Sequence, residues 1–242
     1  MKLRYIALFM DTDSGYKDPF RDNFNLNSRF VSNYLSMQVR KLKFETDGTF
    51  HMLGVSPSLE IKHICRVVGE KALQARISFD RSAYEQMNEF EKYEYYLQLV
   101  EDGYRICTQY KKIPLEQLLK LHQDFRNDGY KNEWLHERKK FKEQGIEVTL
   151  NCFFTSFDFR LLMTVYDINS KKELVSGTVI RTLPNEVCFD SLFKDLMIED
   201  NELIITEFQD RPKFKFLLAD IFNGKFSFKL IDVGLKYEPY TG

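Results

Sequence analysis

The sequence predicts an α+β protein in which antiparallel β-sheets flank a central helical segment, as one domain or two lobes. Three observations carry that reading. Apolar residues alternate or run in short blocks over residues 3–79 and again over 146–231, whereas residues 80–142 repeat at helical spacing. Strands, then helices, then strands is not the strand–helix alternation of a doubly wound parallel sheet. Asp47-Gly48 and Asn223-Gly224 stand between alternating runs, where such pairs signal hairpin turns.

Residues 3–10 are a short apolar run and predict a buried strand, and the Asp- and Asn-rich stretch 11–29 predicts a loop. Leu42 and Phe44 before Asp47-Gly48, with Phe50 and Met52 after it, predict a hairpin over 41–53. Residues 30–37 fit either element. Residues 60–68 and 72–79, with Gly69-Glu70-Lys71 between them, predict another hairpin. Asp80 is a good N-cap, and Ala83, Met87, Phe90, Leu97, Val100, Tyr104 and Cys107 recur at steps of three, four or seven. That stripe predicts a helix running to about Lys112. Pro114 suits the first turn of a second helix that Asn127-Asp128-Gly129 stops. A charged stretch, 132–142, predicts a third, closing at Gly145. Beyond it Val148, Leu150, Cys152 and Phe154 alternate, and strands are predicted over 157–166, 174–181, 186–189 and 203–208. Residues 214–222 and 225–231 would close a last hairpin at Asn223-Gly224. The change of period near Gly145 suggests regions 1–145 and 146–242, which one domain could also hold.

Composition excludes several classes. With 43% hydrophobic residues and a net charge of -1, the 242-residue chain is neither disordered nor strongly basic. No run reaches the roughly 18 apolar residues of a membrane helix, and the N-terminal run is too short for a secretory signal, so a cytoplasmic location is expected. The four cysteines, Cys65, Cys107, Cys152 and Cys188, show no CxxC spacing and are expected to be reduced, buried thiols.

The sharpest motif is Leu8-Phe9-Met10-Asp11-Thr12-Asp13-Ser14-Gly15. An apolar strand ending in Asp-x-Asp resembles the first motif of the haloacid-dehalogenase-like phosphohydrolases. The resemblance implies Asp11 as nucleophile, Asp13 as acid/base and Mg²⁺ to offset the charge of phosphate meeting carboxylate. It also implies a doubly wound sheet, with which the element order conflicts, a downstream Lys, and a late acidic pair, for which Glu199-Asp200 after Leu196-Met197-Ile198 is the candidate. As a calcium loop the segment has its glycine at the fifth position rather than the sixth, and Asp22 rather than Glu at the twelfth. His63 and Cys65 supply half a zinc site at best, and no Walker or dinucleotide fingerprint appears. No cofactor and no metal are expected.

Two surfaces remain. Arg138, Lys139, Lys140 and Lys142, with Trp134 near them, would serve a nucleic-acid role, but Glu133, Glu137 and Glu143 interleave. Glu91, Glu94 and Tyr95 on the long helix, with Asp11, Asp13 and Asp18 in the acidic loop, compose an acidic, tyrosine-bearing face suited to a basic protein partner. The leading expectation is a non-enzymatic interaction protein, for which the toxin-neutralising (immunity) type from a bacterium is the form expected. A phosphohydrolase using Asp11 and Asp13 is the alternative, and a nucleic-acid-associated protein using 138–142 is the third.

Overall fold

The computed structural model of the chain describes residues 1–61, 63–69 and 71–231. By contacts the chain divides into Met1–Asn132 and a second unit that begins at Glu133. Helices and several antiparallel ladders make it an α+β protein, as the order of periods predicts.

The first unit opens with β1 (Tyr5–Leu8) and, after a 3-10 turn at Thr12–Ser14, continues as α1 (Phe20–Leu42). The chain then returns as β2 (Met52–Ser58), parallel to β1. Two expectations fail here. Residues 20–29 are helix rather than loop: they open α1, whose Phe24 is buried, and polar side chains along the same helix bond the strand beside it. Asn25 accepts from the Met10 amide at 2.7 Å, Ser32 from Leu8 at 3.0 Å and Ser36 from Ile6 at 3.0 Å. Those amides lie along the outer edge of β1 and just past its end, where no other strand of the described residues pairs, and an edge covered in this way by a helix is protected from stray pairing. The hairpin over 41–53 is also absent. Asp47-Gly48 does turn the chain, with Asp47 accepting from the Thr49 amide. However, the backbone of residues 44–46 bonds the N-terminus (Leu3 amide to Phe44 carbonyl, Thr46 amide to Met1 carbonyl), and among the described residues only the Thr46 hydroxyl reaches across, to the Phe50 carbonyl at 2.7 Å.

The hairpin of β3 (Cys65–Val68) and β4 (Ala72–Ser78) is present and antiparallel. Glu70 of its expected turn, and Lys62 of the expected strand over 60–68, lie outside the described residues. Because β4 also pairs parallel with β2, the sheet runs β1-β2-β4-β3 with three parallel strands and one antiparallel edge. The sheet of this unit is therefore mixed, which the strands-then-helices order did not suggest. The long helix is two: α2 (Arg81–Gln86), capped by Asp80 as expected, and α3 (Glu89–Thr108). The break falls at Asn88, whose side chain accepts from the Glu91 amide while the Glu91 carboxylate accepts from the Asn88 amide at 2.7 Å. That reciprocal pair is a capping box and starts a new helix. Then α4 (Leu115–Asn127) follows Pro114.

Leu53, Val55, Leu73 and Ala75 of the sheet, and Leu97, Val100 and Tyr104 of α3, are all buried. At Gly103 a Cβ would lie 2.3 Å from a Val55 methyl, so α3 approaches β2 as closely as glycine permits.

The second unit begins with β5 (Glu133–Phe141), where a helix is expected from the charge spacing. The stretch pairs with β6 (Ile146–Phe154), and strand alternation divides its charges between two faces. Arg138 and Lys140 share Glu147 across the ladder at 3.6 and 3.5 Å, while Lys139 bonds Asp195 at 2.9 Å. Two more strands, β7 (Phe159–Asp167) and β8 (Glu173–Thr182), complete a meander. Residues 186–189, expected as a strand, form one helical turn, α5 (Glu186–Phe189), because Asn185 caps the Val187 amide at 3.1 Å.

A further sheet holds β9 (Leu196–Glu199), β10 (Glu202–Thr206), β11 (Pro212–Leu217) and β12 (Lys229–Leu230). The last expected hairpin is interrupted by α6 (Leu218–Phe222), and Asn223-Gly224 ends that helix rather than joining two strands. One face of β6 and β7 supplies the core, with Val148, Leu150, Cys152, Phe159, Leu161 and Met163 fully buried.

Candidate functional site

Three parallel strands of the first unit present their carboxyl ends together, and ligands of open α/β sheets bind outside such ends. Asp11 follows β1. Its backbone is extended and its Oδ1 accepts from the Asp13 amide at 3.1 Å, which caps the 3-10 turn. Its Oδ2 accepts from Arg76 of β4 at 2.6 Å and from Gln74 at 3.0 Å. Arg76 also donates to Ser58 at 2.9 Å. Ser56 stands in register with Arg76 on β2, and its buried hydroxyl has no partner among the described residues. The result is a buried polar cluster on one face of the sheet, with Asp11 at its rim.

The turn after β1, the start of α1, Leu59 after β2 and helix α2 border a cleft of about 600 Å³ lined by Tyr16, Lys17, Phe20, Asn23, Leu59 and Arg81, among others. Its walls rest on rings. Phe79 lies 5.4–6.0 Å from the rings of Tyr16, Phe20, Phe24, Tyr84 and Tyr95, and the Tyr16 hydroxyl donates to the Phe79 carbonyl at 3.1 Å. Arg81 lies over Phe20 at 4.3 Å and pairs with Glu85 at 2.7 Å. Lys17 has no ion pair or side-chain hydrogen bond among the described residues.

A second feature is an exposed apolar run that leads from the end of β2 into the edge strand β3. Leu59, Ile61, Ile64 and Val67 are 61, 44, 51 and 40% exposed and fall within nine residues of chain. His63, Arg66 and Lys71 are exposed beside them, and none has a side-chain partner among the described residues. Beyond β3 no strand of the described residues pairs.

The six residues expected to form an acidic face are not gathered in one place. Asp11 and Asp13 share a turn, and Asp13 is 78% exposed, with Arg76 3.9 Å away. Asp18 lines the cleft but pairs with Arg21 at 2.7 Å. Tyr95 packs on Phe79 and Tyr84, and burial pushes its hydroxyl pKa up. Glu91 is spent on the capping box. Glu94 faces α4, where the Arg126 guanidinium at 2.7 Å holds its carboxyl below the usual range and Tyr130 donates to it at 3.0 Å.

Glu199 ends β9, and Asp200 with Asn201 makes the turn into β10, both at positive φ (50° and 61°). That is the backbone of a two-residue hairpin, so the late acidic pair is turn chemistry. The His63–Cys65 pair gains no third ligand: among the described residues no group of three His, Cys, Asp or Glu could hold a metal. In the basic run, Trp134 packs against Phe159 rather than beside the cations. Sequence reasoning missed Arg76 and Gln74, although their place in an otherwise apolar strand was a signal, since buried charges need partners.

No protein-family model, curated protein or solved structure matches the chain. Among the described residues no helix is long and apolar enough to cross a membrane.

Proposed function

We propose that the chain is a protein-interaction module that takes up an extended segment of another protein along the free edge of β3. The observation that carries this reading is the exposed apolar pair Ile64 and Val67 at the edge strand β3, beside Arg66 and Lys71, which have no side-chain partner among the described residues. Clustered apolar side chains of this kind mark contact sites, and an open edge offers backbone donors and acceptors to an added strand. Most carboxylates expected to face a basic partner are neutralised within the chain, whereas on β3 and its turn the described charged residues, Arg66 and Lys71, are both positive. The segment it suits is therefore apolar and acidic. A toxin-neutralising role in the bacterial cytoplasm is one form of this reading, and in that form the partner is an enzyme whose activity falls on binding.

The test is affinity capture from native lysate with the full chain, in parallel with Ile64→Asp/Val67→Asp. A saturable partner held by the wild type and lost by the folded variant supports the reading. Equal capture by both, or no partner at micromolar concentration, overturns it.

A second reading rests on a different observation: Asp11 sits just past the carboxyl end of a parallel strand, its carboxylate held by Arg76 and Gln74. A Mg²⁺-dependent phosphohydrolase would use that place, although Asp11 would first have to leave Arg76. Hydrolysis of an aryl phosphate by the wild type and not by Asp11→Asn supports this reading, and unchanged turnover in that variant ends it.

A further inference from the structure

We propose that Cys65 and Cys107 form a thiol-oxidation site, which closes to a disulfide between β3 and α3 when the chain meets hydrogen peroxide. The two residues are 42 positions apart, yet their sulfurs lie 3.9 Å from each other. A disulfide requires about 2.05 Å, so the sulfurs must approach by roughly 1.9 Å. The strand that carries Cys65 is the edge of its sheet, held among the described residues by β4 on one side alone, and can take up that shift. Cys65 is half-buried, whereas Cys107 is fully buried in the last turns of α3.

The two thiols also differ in chemistry. The neighbouring Cys107 thiol holds Cys65 below the ordinary thiol value, while Cys65 and burial together push Cys107 well above it. The reachable sulfur is thus the better source of thiolate, which is the reacting form.

The order of steps follows. The Cys65 thiolate attacks one oxygen of hydrogen peroxide. The O–O bond breaks, hydroxide leaves and takes up a proton to become water, and Cys65 becomes a sulfenic acid. The Cys107 sulfur then displaces the sulfenic oxygen, which departs with the Cys107 proton as a second water. Two thiols are oxidised by two electrons, and one peroxide is reduced to two waters. A dithiol reductant reverses the reaction by exchange. Cys152 is buried and Cys188 half-buried in the second unit, and neither has a sulfur partner among the described residues.

The experiment treats the reduced full chain with peroxide, alkylates the remaining thiols, and maps the peptides by mass spectrometry. The expected product is about 2 Da lighter before alkylation, joins Cys65 to Cys107, keeps Cys152 and Cys188 alkylated, and returns to the starting mass with dithiothreitol. In Cys107→Ser the expected product is a Cys65 sulfenic acid trapped by dimedone. Recovery of Cys65 and Cys107 both as free thiols, or of Cys65 as sulfinic or sulfonic acid with Cys107 still free, overturns the proposal. If Cys107→Ser does not fold, Cys65→Ser replaces it. There Cys107 should stay reduced, and its oxidation at the wild-type rate would equally overturn the assignment.

Discussion

Arg76 and Asp11 meet at 2.6 Å although 65 residues separate them, one on β4 and the other just past β1. The arginine side chain is 7% exposed and the aspartate 20%. A guanidinium so deep is tolerable because Asp11 and Ser58 both accept from it, and Gln74 supports the aspartate from the same strand.

Removing one partner should therefore cost more than removing both. Asp11→Ala leaves a buried charge without its counterion and is expected to lower stability by about 3 kcal/mol. Adding Arg76→Met should recover part of that loss, because the uncompensated charge is gone. Urea denaturation of the two variants decides the matter. A double variant no more stable than Asp11→Ala would show that the pair is not the source of the effect.

Ser36 offers a cleaner test of how α1 holds β1. Its hydroxyl accepts from the Ile6 amide and donates to the Ile6 carbonyl, each at 3.0 Å, in a buried setting. Ser36→Ala strands both groups and should cost about 1–3 kcal/mol. Hydrogen exchange at the Ile6 amide should accelerate more than at the neighbouring sheet amides. A denaturation midpoint within error of wild type would refute this.

A third expectation concerns acid. His122 is buried, with Nδ1 3.2 Å from Glu101 and Nε2 3.4 Å from the Tyr104 hydroxyl. Burial lowers its pKa despite Glu101, so the imidazole is neutral at neutral pH and Nδ1–H donates to the carboxylate. That hydrogen bond, with Arg126 at 2.9 Å, in turn lowers Glu101. Arg126 on the same helix and Glu94 on α3 are the other charges that act on His122.

The sign is the same for each lowered group. In the window between the depressed folded value and the unfolded value, the unfolded chain binds more protons. Stability therefore falls as pH falls through that window. For His122 the loss begins near its ordinary value of 6.5; Glu94 and Glu101 add theirs below the ordinary carboxylate value of 4.5. Denaturation midpoints between pH 7.5 and 5 should decline in the wild type and flatten in His122→Gln. An equal decline in both would assign the effect elsewhere.

Much of the fold was legible in the sequence because period reports burial. The strands of the second unit from Ile146 to Thr182, the β3–β4 hairpin, the Asp80 cap and the helix after Pro114 all follow from spacing and turn residues. Three features were not legible, each for a definite reason. α1 was missed although Phe24, Val31, Leu35 and Val39 recur at helical spacing in it. The Asp and Asn residues over 11–29 read as loop, and polar Asn25, Ser32 and Ser36 interrupt the stripe where they bond β1 and its end. The capping box at Asn88-x-x-Glu91 was written in the sequence, but the apolar stripe continued across it. Residues 133–141 have charges that suit either a helix face or a ladder, and only β6 settles the choice. Of the candidate site, Asp11 was legible as the end of an apolar strand. Its partner Arg76 was not, since nothing local joins positions 65 apart.

By itself the sequence determined the α+β class, the helical middle and most strand positions of the second unit. These rest on side-chain periods and backbone preferences within a few residues. The tertiary structure alone decided that β1, β2 and β4 run parallel, that Asp11 is held by Arg76, and that Cys65 touches Cys107. Those facts depend on which strand lies beside which, and pairing of that kind is chosen by the burial available to the whole unit.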